Sequence, residues 1–142
     1  AILGSTLVWL THLSHWKITE SPVDKLACFS TAPAIRNTTS NMIAEIIGTM
    51  VLIIGVMAIY AETGSGLSPV LVGFLVWSIG LSLGGPTGYA INPARDLGPR
   101  IAHAILPIAG KGGGDWGYAW IPVVAPLIGA ALAALFVWGF GV

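Results

Sequence analysis

The side chains with the most chemistry in this 142-residue chain fall in one stretch, Gly84-Gly-Pro-Thr-Gly-Tyr-Ala-Ile-Asn-Pro-Ala-Arg-Asp-Leu-Gly-Pro-Arg100. Asn92 followed by Pro93 is a helix-start signature: the amide oxygen can accept from a free N–H of the first turn, and proline fills the first helical position without losing a bond. From Pro93 to Leu106, before Pro107, that helix would have about 14 residues and run roughly 21 Å. A bilayer core is about 30 Å thick, so the helix is too short to cross it. Gly98-Pro99 would interrupt it further.

A short helix of this kind lies at the membrane surface or re-enters the membrane. Uncharged glycine-rich backbone before Asn92, with ionisable Arg95 just after it, favours re-entry, because irregular backbone and charge survive at membrane depth only beside protein or a wet cavity. On re-entry Asn92 offers amide hydrogens to an oxygen, and the helix N-terminus brings about half a positive charge to the same place, which repels cations and protons. The carbonyls of Gly88, Tyr89 and Ala90 can form a ladder of acceptors. Arg95, one turn along, adds fixed donors and a full positive charge. Such a wall suits neutral molecules rich in hydroxyl groups.

The elements that must position this stretch are apolar and long. Of all residues 55% are hydrophobic and 8% charged, against roughly 25% charged in soluble proteins, so lipid is the expected solvent. Three runs approach the roughly 20 residues a spanning helix needs: Met42 to Ala61, interrupted only by Glu45; Val70 to Gly85; and Trp120 to Phe140, with Trp116, Tyr118 and Trp120 as interfacial anchors. The opening run to about Leu10 reads as the end of a fourth, and the chain reads as a piece of something longer.

Thr11 to Ser40 and the link Glu62 to Ser68 read as aqueous loops. Ser40 or Asn41, and Ser68 before Pro69, suit helix starts. Gly80 with Gly84, and Gly129 with Ala133, stand four apart as candidate packing seams. Net charge is zero, so no nucleic acid partner is expected. Cys28 is the single cysteine, which excludes an internal disulfide and a cysteine-rich metal site. His12 and His15 read as interfacial packing near Trp16, His103 as vestibular or packed, and Lys17, Lys25 and Arg36 as solvated loop charges. No cofactor or metal is expected.

The string from Gly88 to Arg100, with Asn92-Pro93-Ala94-Arg95-Asp96 at its centre, resembles the second NPA motif of the major intrinsic proteins, the aquaporins and glycerol facilitators. The resemblance extends to Phe29-Ser-Thr31 and Ala44-Glu-Ile-Ile-Gly-Thr49, and so covers nearly the whole chain. It implies an all-α membrane fold of six helices and two re-entrant half-helices. Residues 1–142 would supply, as one membrane domain, the end of helix three, helices four to six and the second half-helix. The first half-pore, with its own NPA and a filter aromatic, would be absent, and the chain by itself could not form the family's pore.

The resemblance also implies a specificity. Gly80 stands where water-selective members carry histidine, Tyr89 where glycerol channels place an aromatic, and Asp96 follows the filter Arg95; all three point to glycerol. Tyr89 in place of the usual phenylalanine leaves the polyol preference open. Glu45 is either an interfacial glutamate favoured by its helix dipole or, by resemblance, a support that accepts from the N–H groups of the re-entrant loop. A homotetramer in the plasma membrane, passing glycerol, water and small polyols, is implied in the same way.

The long loop carries Lys17, Lys25 and Arg36 and the short link none, a charge bias opposite to the family's topology. Three other functions compete. A water-selective channel would share the fold. A proton- or sodium-coupled transporter needs a titratable relay, for which only Glu45 and the Arg95-Asp96 pair are candidates. A membrane enzyme lacks a nucleophile, base and orienting group in one constellation.

Overall fold

A computed structural model describes residues 1–141, leaving aside the side chains of 63–65. Every described regular element is helical: Ile2–Thr11, His15–Ile18, Pro22–Ala27, Thr38–Leu83, Pro93–Ile105 and Ile121–Phe140. Three stretches are long and apolar enough to cross a bilayer, Thr38–Glu62, Gly66–Leu83 and Ile121–Phe140.

The first two spans run side by side in opposite directions. A Cβ on Gly55 would stand 2.6 Å from the side chain of Leu75, and Gly48 and Gly80 both abut one loop, through Ile91 and Tyr89. A straight helix of the same length would hold Gly55 and Leu75 about 30 Å apart. The aqueous link expected from Glu62 to Ser68 is therefore narrower: Glu62 ends one span and Gly66 to Ser68 belong to the next, while residues 63–65 lie outside the described ones. Ser68 is fully buried and lies with Pro69 inside helical backbone, so the pair does not form the helix start that the sequence suggested.

Other boundaries shift for local reasons. The first span begins earlier than Ser40 or Asn41, because Asn37 Oδ1 accepts from Ser40 N at 2.9 Å and caps the helix. The loop from Thr11 to Ser40 contains two short helices, the second capped by Ser21, whose hydroxyl accepts from Asp24 N at 3.2 Å. Pro99 does not break its helix, which continues to Ile105.

Ile121–Phe140 packs along the Thr38–Glu62 span at a glycine crossing. A Cβ on Gly129 would lie 2.7 Å from Ile46 O and 2.9 Å from Thr49 Cβ. Ala125 and Ala133, one turn to either side, are fully buried, so backbones meet closely where lipid offers no hydrophobic drive between helices. On the outer faces Trp77, Leu127, Leu135 and Trp138 are exposed. Apolar surface on this scale belongs against lipid or neighbouring helices, and the chain is an integral, multi-pass membrane protein.

Candidate functional site at the half-helix tip

After Leu83 the chain leaves its helix and folds back between the spans as Gly84 to Asn92. Gly88, Tyr89 and Ile91 adopt positive φ angles of 77°, 41° and 42°. The last two are costly for residues with a Cβ, and most so for β-branched Ile91. What sustains them is Glu45, fully buried in the first span, whose two carboxylate oxygens accept from Ala90 N at 3.0 Å and Ile91 N at 2.7 Å. Two charge-assisted bonds offset the cost of burying the carboxylate and lock consecutive amides of the loop.

The helix Pro93–Ile105 follows, with Asn92 as its cap: Oδ1 accepts from Ala94 N at 2.9 Å. This leaves the Asn92 side-chain NH₂ as a donor. A cavity of about 150 Å³ at the tip is lined by Leu52 and Val76 together with Tyr89, Ala90, Asn92 and Arg95. Leu52 and Val76 stand near the middle of their spans, so the tip lies at mid-length of both spanning helices instead of at their ends. The hydrophilic side of the half-helix is thereby sunk into the bundle.

Arg95 is exposed, and one of its guanidinium nitrogens donates to Phe29 O at 3.3 Å. It also lines a second cavity of about 280 Å³, whose other walls include Leu26, Ser30, Thr31 and Gly88. Arg95 is thus the residue common to the walls of a cavity on the loop side and a cavity at the tip. Tyr89, 37% exposed, lays its ring over Gly80, where a Cβ would stand 3.0 Å from Cζ and 3.2 Å from the hydroxyl. Gly84 is part of the same shelf, where a Cβ would stand 2.8 Å from ring atom Cδ1. The Gly80–Gly84 seam accommodates an aromatic ring, not a second helix. Gly88 packs on Thr31, with a notional Cβ 3.2 Å from its methyl.

Asp96 is placed differently from its neighbours. It faces away from the tip cavity, fully buried, and accepts from Thr31 N at 2.8 Å, Thr31 Oγ1 at 2.7 Å and Arg100 Nε at 2.8 Å. Any influence it has on the tip cavity must be transmitted through packing. Arg100, likewise fully buried, is a structural residue that sequence reading missed; its spacing of four from Asp96 on one helix was the available signal.

The loop cations are not uniformly solvated. Lys25 is 4% exposed and its ammonium donates to Ala109 O. Arg36 pairs with Asp115 at 2.7 Å and lies over the Tyr118 ring. Lys111 donates to the carbonyls of His103, Ala104 and Leu106 at 2.7–2.8 Å, closing the C-terminal end of the half-helix. His103 is buried and meets the Phe29 ring edge-on at 5.4 Å, while Trp16 stacks on the other part of Phe29 at 5.8 Å and contacts His12.

Comparison with known proteins agrees with this architecture. The family model described as MIP, major intrinsic protein, matches residues 1–137. The chain is 61% identical over 142 residues to a probable glycerol uptake facilitator protein of Thermotoga maritima, covering 99% of this chain and 61% of that protein. It is 56% identical over 137 residues to the glycerol uptake facilitator protein of Bacillus subtilis, covering 96% and 50%. A D/L-lactic acid transporter of Lactiplantibacillus plantarum is 49% identical over 143 residues, covering 98% and 60%. The X-ray structure of the aquaglyceroporin from Plasmodium falciparum superposes with a TM-score of 0.74 at 25% identity, over 96% of this chain and 57% of that one. The chain therefore spans about half to three fifths of the length of the relatives it matches. With a capped half-helix sunk between antiparallel spans and a family match over nearly every residue, this chain belongs to the major intrinsic protein family.

Proposed function

We propose that this chain contributes the second half-pore of a passive channel that conducts glycerol, water and comparable small polyols while excluding ions and protons. The observation that carries the reading is the cavity at the half-helix tip. It brings together Asn92, Arg95 and Tyr89, with Ala90 and Ile91 of the loop between them. Donors and a positive helix end favour hydroxyl oxygens and oppose cations, and the Tyr89 ring gives an apolar wall for a carbon backbone. Pro93 and Ala94 keep the first turn free of side chains that would fill the tip. Gly80 supplies the room in which Tyr89 rests.

The names of the relatives support glycerol over a water-selective channel: the Thermotoga and Bacillus proteins are both glycerol uptake facilitators. The relative named as a D/L-lactic acid transporter adds small hydroxy acids to the candidate permeants. Conduction involves no covalent step and no cofactor. Assembly as a homotetramer in the plasma membrane completes the proposal.

The test is osmotic. Proteoliposomes containing the full-length protein should swell rapidly in glycerol, with water flux but no proton or sodium current. Water flux without solute flux would replace this reading by the water-selective one. In the same assay Arg95→Ala should admit a four-carbon polyol and weaken charge exclusion, because the fixed donor and charge at the shared wall are gone.

A further inference from the structure

We infer that Arg100, outside the pore cavities, is a positioning residue that sets the place of Arg95 and so the solute cutoff; the inference rests on the proposed channel function. Arg100 makes a complete set of bonds. Nε donates to Asp96 Oδ1 at 2.8 Å; one terminal nitrogen donates to Gly114 O at 2.6 Å and Asp115 O at 3.2 Å; the other donates to Thr31 O at 2.9 Å and Asp96 Oδ2 at 3.1 Å. A guanidinium has five N–H donors, and here five acceptors on three chain segments use them.

Those segments are the half-helix, the loop around Thr31 and the glycine-rich loop at Gly114. Asp96, the neighbour of Arg95, binds Thr31 twice, through N and Oγ1. Thr31 is two residues from Phe29, whose carbonyl receives the Arg95 guanidinium. Arg100 and Asp96 together therefore fix the loop carbonyl that holds Arg95, from the side of the half-helix turned away from the passage. The Arg95 contact at 3.3 Å is long for such a bond, so a small shift of the loop releases it. A lysine at position 100 has three donors about one centre and cannot reproduce a planar five-bond fork.

The test uses the full-length protein in proteoliposomes, with permeability to water, glycerol and erythritol normalised to correctly inserted protein. Arg100→Lys is expected to raise the erythritol-to-glycerol ratio by about threefold or more, the scale of coupling between residues in one network. In an Arg95→Ala background the same substitution should leave the ratio unchanged. Thr31→Val, which deletes only the hydroxyl bond to Asp96, should move the ratio the same way by a smaller factor, and it decides the matter if Arg100→Lys does not insert. A residue that merely stabilises the fold would lower all three permeabilities together. Unchanged ratios in both single variants, or a full additional shift on Arg95→Ala, would overturn the inference while leaving the glycerol reading intact. A wild type conducting water but no glycerol would refute the proposed solute and leave the cutoff measurable with the solutes that do pass.

Discussion

Gly80 and Tyr89 share one space: the missing side chain of the first is the seat of the second, with ring atoms 3.0–3.3 Å from where a Cβ would stand. The glycine is thus not simply open space, but the reason an aromatic ring can lie against the second span. Gly80→His would expel that ring and fill the cavity from the opposite side. A side chain wedged there narrows the space beside Tyr89, so glycerol permeability should fall markedly, with water reduced much less. Stopped-flow measurement of both in one preparation checks it, and equal loss of both would indicate misfolding.

Glu45→Gln tests the strained loop. The carboxylate accepts from two adjacent amides, whereas an amide side chain has one acceptor and presents its NH₂ to the second N–H. One buried donor is left unsatisfied, at about 1–3 kcal/mol, beside Tyr89 and Ile91 with their positive φ angles. The expected result is a lower thermal midpoint in detergent together with reduced permeability to every solute. A variant of wild-type stability and flux would show that the loop holds its shape unaided.

Gly129→Val addresses the helix crossing. Its Cβ would stand 2.7 Å from the Ile46 carbonyl, which is backbone and cannot rotate away, so the two spans must separate. Destabilisation of about 1–3 kcal/mol is expected, read as loss of folded protein after mild heating. Glu45 is one residue before Ile46, so the surviving fraction should also show reduced glycerol flux.

Much of this was legible in the sequence where one local rule acted alone. Asn92-Pro93 predicted a capped helix start and the structure has one; the three apolar runs predicted three spans within a few residues of their ends. What failed was the reading of charge. Lys25 looks like a solvated loop cation because the sequence gives no hint that Ala109 O lies beside it, far along the chain; Arg36 is solvated as expected, its side chain 60% exposed while it pairs with Asp115. Arg100 was overlooked for a related reason: its partners Thr31 and Gly114 meet only when loops on both sides of the half-helix close over it. Burial, which turns an ordinary i,i+4 ion pair into a junction, is a tertiary property.

Lys111 offers a contrast with Arg100, because both are cations bonded to the half-helix but only one is tied to the loop that holds Arg95. The Lys111 ammonium satisfies three carbonyls at the C-terminal end of the helix, where the dipole favours positive charge. Lys111→Met keeps the length of the side chain and removes those bonds. Stability should fall by about 1–2 kcal/mol, visible as a lower unfolding midpoint in detergent. The tip at Asn92 lies at the other end of the helix, beyond the first or last turn over which the effect of a terminal charge extends, so glycerol-to-water and erythritol-to-glycerol ratios should be unchanged. A shifted ratio would mean that the half-helix moves as a rigid rod when its far end is loosened, and that the Asp96–Arg100 junction does not isolate Arg95 from it.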